Sequence, residues 1–287
     1  MIAWGEALIK ELAARRAIVF FGAGASASCV SPNSQTRPPN WQTLLERLNA
    51  RSTNLEAQQV AASLIEKSRL LDAAEVIVSG LNDADYHDEM RKIFEVPRYE
   101  ASKIHEAILA IDPKVAITTN FDTVYDHYCR SGDAAEGYNV FKYTDTHLVS
   151  QLRSPIRCVL KAHGCITAPE NMVLTRSDFF RARQEAPHFY RTLDALFLTH
   201  TILFVGYSLD DPDIQMVLEN ANIAAPSSHK HYFVCGSGTP DAIKKSKAES
   251  YNLHFCEFPD GRYDVLNESL SDLAERVNIF RNTNPAI

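Results

Sequence analysis

AIVFFGAGASAS, residues 17–28, runs five apolar residues straight into two glycines separated by one alanine. A strand with no polar face must be covered on both sides, which is the situation of a parallel sheet flanked by helices. Working outward, five further β-rich runs share this character: KVAITT (114–119), IRCVLKA (156–162), TILFVGY (201–207), HYFVC (231–235) and LHFCEF (253–258). Helical spacing fills the intervals between most of them. The pattern predicts an α/β fold, a doubly wound (Rossmann-like) parallel sheet of about six strands.

One interval breaks the alternation. More than ninety residues separate the first strand from KVAITT, and NLEAQQVAASLIEKSRLLDAAEVIV and ADYHDEMRKIF within it carry helical spacing. The chain therefore reads as a sheet domain of residues 1–39 and 101–287 with a helical module inserted at 40–100. A second, irregular insertion is expected at 132–155.

Bulk properties narrow the function classes. A net charge of −7 argues against a chain that wraps nucleic acid unaided. The apolar runs are too short to span a bilayer, and MIAWGEALIKELAARR (1–16) reads as an amphipathic helix, not a signal peptide. A cytoplasmic protein is the expectation. None of the six cysteines forms a C-x-x-C pair, so no zinc ribbon and no metal are expected.

The strand ends hold the chemistry. Gly22, Gly24 and Ala27 fit G-x-G-x-x-G/A directly after the first strand. Glycines there let backbone amides approach a pyrophosphate, and the following helix N-terminus favours negative charge. A plain tight turn explains the same residues, and no strand with an acidic residue follows about twenty positions on; Glu46 sits in a helical pattern. That argues against a dehydrogenase. The next strands end in Thr119, Asn120 and Asp122, then in His163-Gly164, then in Gly206, Ser208, Asp211 and Asp213. In open α/β sheets ligands bind outside the carboxyl ends of the strands, so these groups converge on one crevice. Each has a plainer reading as well: Asn120 and Asp122 as helix caps, and Asp211 as a cap before Pro212. His200, His229 and His231 read as structural or surface residues.

GAGAS, TTNFD, KAHG and GYSLDDPD, in this order, resemble the sirtuin-like superfamily over about residues 17–260, and most closely its NAD-cleaving branch in bacterial antiphage defence. The resemblance implies that Gly22, Ala23, Gly24, Ser26 and Thr119 hold NAD as substrate, with Gly206 and Ser208 on the adenosine side. It implies that Asn120 contacts the ribose and orients the catalytic water, and that His163 is general base or ribose partner. Asp122 would lock the amide or stabilise developing positive charge.

Two departures separate the chain from protein-deacylating sirtuins. Only Cys165 lies between His163 and Gly206, where those enzymes carry four zinc cysteines, and SCVSPNSQTRPPNW replaces their G-I-P-D-F-R stretch. The role of Arg37 in that stretch stays open. The implied activity is an NAD+ hydrolase releasing nicotinamide and ADP-ribose; an ADP-ribosyltransferase or deacylase acting on protein, or a non-catalytic NAD- or ADP-ribose-binding sensor, are the alternatives. The family also implies a homo-oligomer and control by another chain, with a HerA-type ATPase or helicase as leading candidate.

Overall fold

The computed structural model describes residues 1–131, 137–226 and 229–284. Its centre is a seven-stranded, wholly parallel sheet: β1 (Ala17–Phe21), β2 (Val115–Thr118), β3 (Tyr138–Lys142), β4 (Arg157–Lys161), β5 (Thr201–Val205), β6 (His231–Gly236) and β7 (Leu253–Phe258). The spatial order is β3-β4-β2-β1-β5-β6-β7. In register, Phe20 of β1 sits between Ile117 of β2 and Phe204 of β5.

Alternation along each strand feeds two separate cores. Ala17, Val19, Phe21, Leu203 and Val205 pack on one side with Leu8, Leu12, Ile108, Leu270 and Leu273. These come from the helices Glu6–Ala13, Lys103–Ile111 and Tyr263–Thr283. Ile18, Phe20, Ile202 and Phe204 point the other way, toward Phe189, Leu193, Phe197, Ile214 and Leu218 of the helices Pro187–Thr199 and Pro212–Ala224. Both faces are therefore dry, which is why the strands carry no polar alternation. Among the described residues no helix is long and apolar enough to cross a membrane.

The sheet has one strand more than the sequence reading gives. YNVFK (Tyr138–Lys142) forms β3 inside the stretch read as an irregular insertion at 132–155, and the short helix Leu148–Leu152 follows it. As an edge strand it pairs with β4 alone and only Tyr138 is fully buried, so its composition is mixed and gives no apolar signal. Residues 132–136 of that stretch lie outside the described residues.

Between β1 and β2 run the helices Trp41–Asn49, Leu55–Glu66, Leu70–Ser79 and Asp83–Phe94. Asn40, Asn54 and Asn82 cap three of them, each accepting backbone N–H bonds on its side chain. The helical run NLEAQQVAASLIEKSRLLDAAEVIV is broken at Ser68, whose φ of 56° ends one helix before the next begins at Leu70. This segment has its own core, Leu44, Leu48, Ala61, Ala74, Ile77 and Ile93, which also takes in Phe121, Cys165, Ile166, Met172 and Leu174 from the loops after β2 and β4. It therefore sits above the carboxyl ends of those two strands.

The connection leaving β1 leads toward β2, while the one leaving β5 leads toward β6 on the opposite side. The chain reverses direction between β1 and β5, and a crevice opens at such a reversal.

Candidate functional site

Two glycine loops meet at this reversal. Gly22 N–H donates to Val205 O (3.2 Å) and Gly24 N–H to Gly206 O (2.9 Å). The approach leaves no room for side chains: a Cβ on Gly24 would lie 2.8 Å from Gly206 Cα, and one on Gly206 would lie 2.5 Å from Ala25 N. Gly206 also has a φ of 61°, in the left-handed region. The short helix Ala23–Ser26 thus presents its exposed Ala23 and Gly24 to the crevice with bare backbone.

Asn120 comes in from the end of β2. Its Nδ2 donates to Gly22 O and to Ser26 Oγ, both at 3.0 Å, and its backbone N–H donates to Thr118 Oγ1. Both amide hydrogens are taken by protein, so the group offered to a ligand is the acceptor Oδ1. Ser26 Oγ donates its own hydrogen bond to Asp122 Oδ2 (2.9 Å), and Asp122 Oδ1 accepts from Val124 N–H (3.0 Å) at the start of the next helix. Asp122 thereby holds Asn120 through Ser26. Beneath it lies Lys161, fully buried at the end of β4, whose Nζ donates to the Asp122 carbonyl and stands 3.3 Å from Asp126 Oδ2. Burial opposes the lysine's charge, but Asp126 and its neighbours outweigh it and raise its pKa.

On the other wall His163 follows β4 directly. Its Nε2 lies 2.8 Å from Asp211 Oδ2. Its ring stands edge-on to Phe179 with centroids 5.1 Å apart, and its carbonyl accepts from Val173 N–H (3.0 Å). Gly164 turns the chain away at a φ of 80°. Asp211 Oδ1 accepts from Asp213 N–H (2.9 Å) and Ile214 N–H (3.2 Å), capping Pro212–Ala224. Burial pushes the Asp211 carboxyl up, yet the His163 ring and the two backbone N–H groups hold it below the usual carboxylate range. Asp213 points elsewhere, to Arg183 (3.0 Å), and burial raises its pKa.

These groups share one cavity of about 690 Å³, lined by Ala23, Gly24, Ser26, Thr119, Asn120, Asp122, His163, Gly206, Ser208 and Asp211 among others. Pro38, Pro39, Asn40, Trp41, Leu44 and Phe94 bound it from the helical segment, and Phe233, Phe255, Phe258 and Tyr263 from β6, β7 and beyond. Such a volume suits a nucleotide-sized ligand. Gly22 lies behind the lining, where its carbonyl holds Asn120. Ser208 is exposed at the rim, and its carbonyl accepts from Lys247 (3.3 Å). Arg37 does not line the cavity; its guanidinium donates to Ala27 O (3.4 Å).

Sequence reasoning left Lys161 out of the site, although it was visible as a lysine closing an apolar strand; it put Asp211 at the crevice, but the cap reading concealed its second oxygen. His231, by contrast, is a core residue at the opposite end of the sheet, its Nδ1 accepting from Ile202 N–H (3.1 Å).

Comparison with known proteins fits this geometry. Residues 114–256, from β2 to β7, match the model of the SIR2-like domain. The chain is 30% identical to defense-associated sirtuin 2 of Bacillus subtilis over 155 residues, 53% of this chain and 15% of that relative. It is 25% identical to NAD(+) hydrolase ThsA of Acinetobacter baumannii over 250 residues, 86% of this chain and 48% of the relative. The ThsA of Bacillus cereus is 22% identical over 279 residues, 94% and 51%. The chain thus spans about half the length of the ThsA relatives. With the SIR2-like domain laid over the strands that carry Asn120, His163 and Asp211, the chain belongs to the sirtuin-like family.

Proposed function

We propose that the cavity binds NAD+ and cleaves its nicotinamide–ribose bond with water, releasing nicotinamide and ADP-ribose, and that the chain acts as an NAD-depleting effector in antiphage defence. The observation that carries the reading is the pairing of two groups at the loop reversal: Asn120, with only Oδ1 offered to a ligand, and His163, whose Nε2 lies 2.8 Å from Asp211 Oδ2. The names of the ThsA relatives and of the defense-associated sirtuin support it.

In this reading the pyrophosphate lies over the bare backbone of Ala23 and Gly24, with the adenosine toward Gly206 and Ser208. The C1′–N bond breaks with its electron pair moving to the nicotinamide ring, which neutralises that ring's positive charge. A strong general acid is therefore unnecessary, and the ribose becomes oxocarbenium-like, as in glycoside hydrolysis. Water forms the new C1′–O bond. Asn120 Oδ1 accepts a hydrogen bond from that water or from a ribose hydroxyl, and His163 takes the proton the water loses.

Asn120→Ala removes the oriented acceptor and should lower nicotinamide release by roughly 10²–10³-fold. Turnover at the wild-type rate in that variant would sink the assignment. Labelled NAD appearing on protein, not as free ADP-ribose, would move it to the transferase class. Homo-oligomerisation and control by a HerA-type ATPase or helicase belong to the same proposal, and co-purification with proteins encoded beside it tests them.

A further inference from the structure

We propose that Asp211 is the positioning residue of the site: it holds the His163 imidazole with Nε2–H toward its carboxylate, so that Nδ1 is the nitrogen that takes the proton. The inference rests on the NAD-cleaving reading of the cavity and adds to it a residue and a tautomer.

Capping alone does not account for Asp211. The cap uses Oδ1, whereas Oδ2 faces His163 Nε2 at 2.8 Å. Elsewhere the chain caps helices with the neutral side chains of Asn40, Asn54 and Asn82. A buried carboxylate is costly unless something needs its charge. Here it is buried, and two backbone N–H groups at the start of a 13-residue helix stabilise it. The loop bearing it is fixed in turn, since Gln215 Nε2 donates to Leu209 O (2.6 Å). On the histidine side, Phe179 and the Val173-to-His163 backbone bond restrict the ring. Among the described residues Nδ1 has no protein partner. A neutral ring that gives its one N–H to Asp211 therefore turns its lone pair away from the carboxylate.

Asp211→Asn separates the two roles. Asparagine caps a helix as well as aspartate, but its amide, with the oxygen on the cap, turns N–H and not an acceptor toward Nε2. Nitrogen-15 NMR of histidine-labelled protein, with the His163 signal assigned from His163→Gln, should show the Nε2–H tautomer in wild type and the Nδ1–H tautomer in D211N. The kcat for nicotinamide release should fall on the order of 10³–10⁴-fold, the scale of a wrong tautomer, with KM and melting temperature nearly unchanged. An unaltered tautomer, or kcat within threefold of wild type, overturns the proposal. Should D211N fail to fold, Asp211→Ser also caps and is read by the same NMR signal. Absence of NAD cleavage in wild type would defeat the activity reading alone, because the tautomer shift still decides whether Asp211 sets the ring.

Discussion

Ser26 shows how much of the site rests on a small side chain. It accepts from Asn120 and donates to Asp122, both within 3.0 Å, so its hydroxyl joins them. Ser26→Ala leaves a buried amide hydrogen and a buried carboxylate oxygen without their partner. Thermal or urea unfolding should show a loss of about 1–3 kcal/mol, and kcat should fall more than KM rises because Asn120 loses one of its two anchors. A stability loss with unchanged kcat would show that Gly22 O alone fixes the amide. At this scale the sequence was legible in residue type but not in role. TTNFD and KAHG marked Asn120, Asp122 and His163, because strand ends in an α/β sheet are where polar side chains meet a ligand. It hid which atoms were already engaged. Only the contact with Gly22 and Ser26, about a hundred residues away, shows that Asn120 is left with its acceptor alone.

At the scale of elements, the junction of the two glycine loops sets the crevice. A methyl group on Gly206 would press against Ala25 N and Gly24, backbone that has no free rotation to yield, and would sit on a φ of 61°. Gly206→Ala should therefore cost at least 1–2 kcal/mol in stability and part the loops, weakening NAD binding as measured by calorimetry. Gly5→Ala, where a Cβ meets nothing within 4 Å, is the control and should change neither. The strands around this junction were readable because β1 and β5 are apolar on both faces. Tyr138–Lys142 was not, since an edge strand beside a single neighbour needs no apolar run. The reversal between β1 and β5 is a property of strand order, which periodicity within a segment does not contain.

For the molecule as a whole, two buried histidines link stability to pH. Burial drives His105 down to about 4 against the opposing pull of Asp122 and Asp126, and burial alone takes His231 to about 4. Unfolded, each ring takes its proton near its ordinary value of 6.5. Between those values the unfolded chain binds more protons than the folded one. Stability that is full above pH 6.5 is thus lost as pH falls toward 4, by at most roughly 1.4 kcal/mol per ring per pH unit. Urea midpoints measured near neutrality and at mildly acidic pH should show the drop, and His231→Gln should shrink it. A midpoint independent of pH would contradict the burial of both rings.

The helices spanning Trp41 to Phe94 share a core with Phe121, Cys165, Ile166, Met172 and Leu174, residues of the loops that form the floor beside Asn120 and His163. They are also tied to the helix Arg176–Glu185, where Ser177 Oγ donates to Glu75 (2.6 Å) and Arg176 pairs with Asp72 (3.3 Å). Roof and floor are therefore riveted together, and lifting the roof as a flap would wet that whole apolar seam. On the far side the cavity is bounded by Thr239, Ile243, Lys247 and the largely exposed Tyr263. If a spent molecule leaves on that side, the ceiling can stay shut, and bulkier side chains there should slow departure while leaving the bond-breaking step itself untouched.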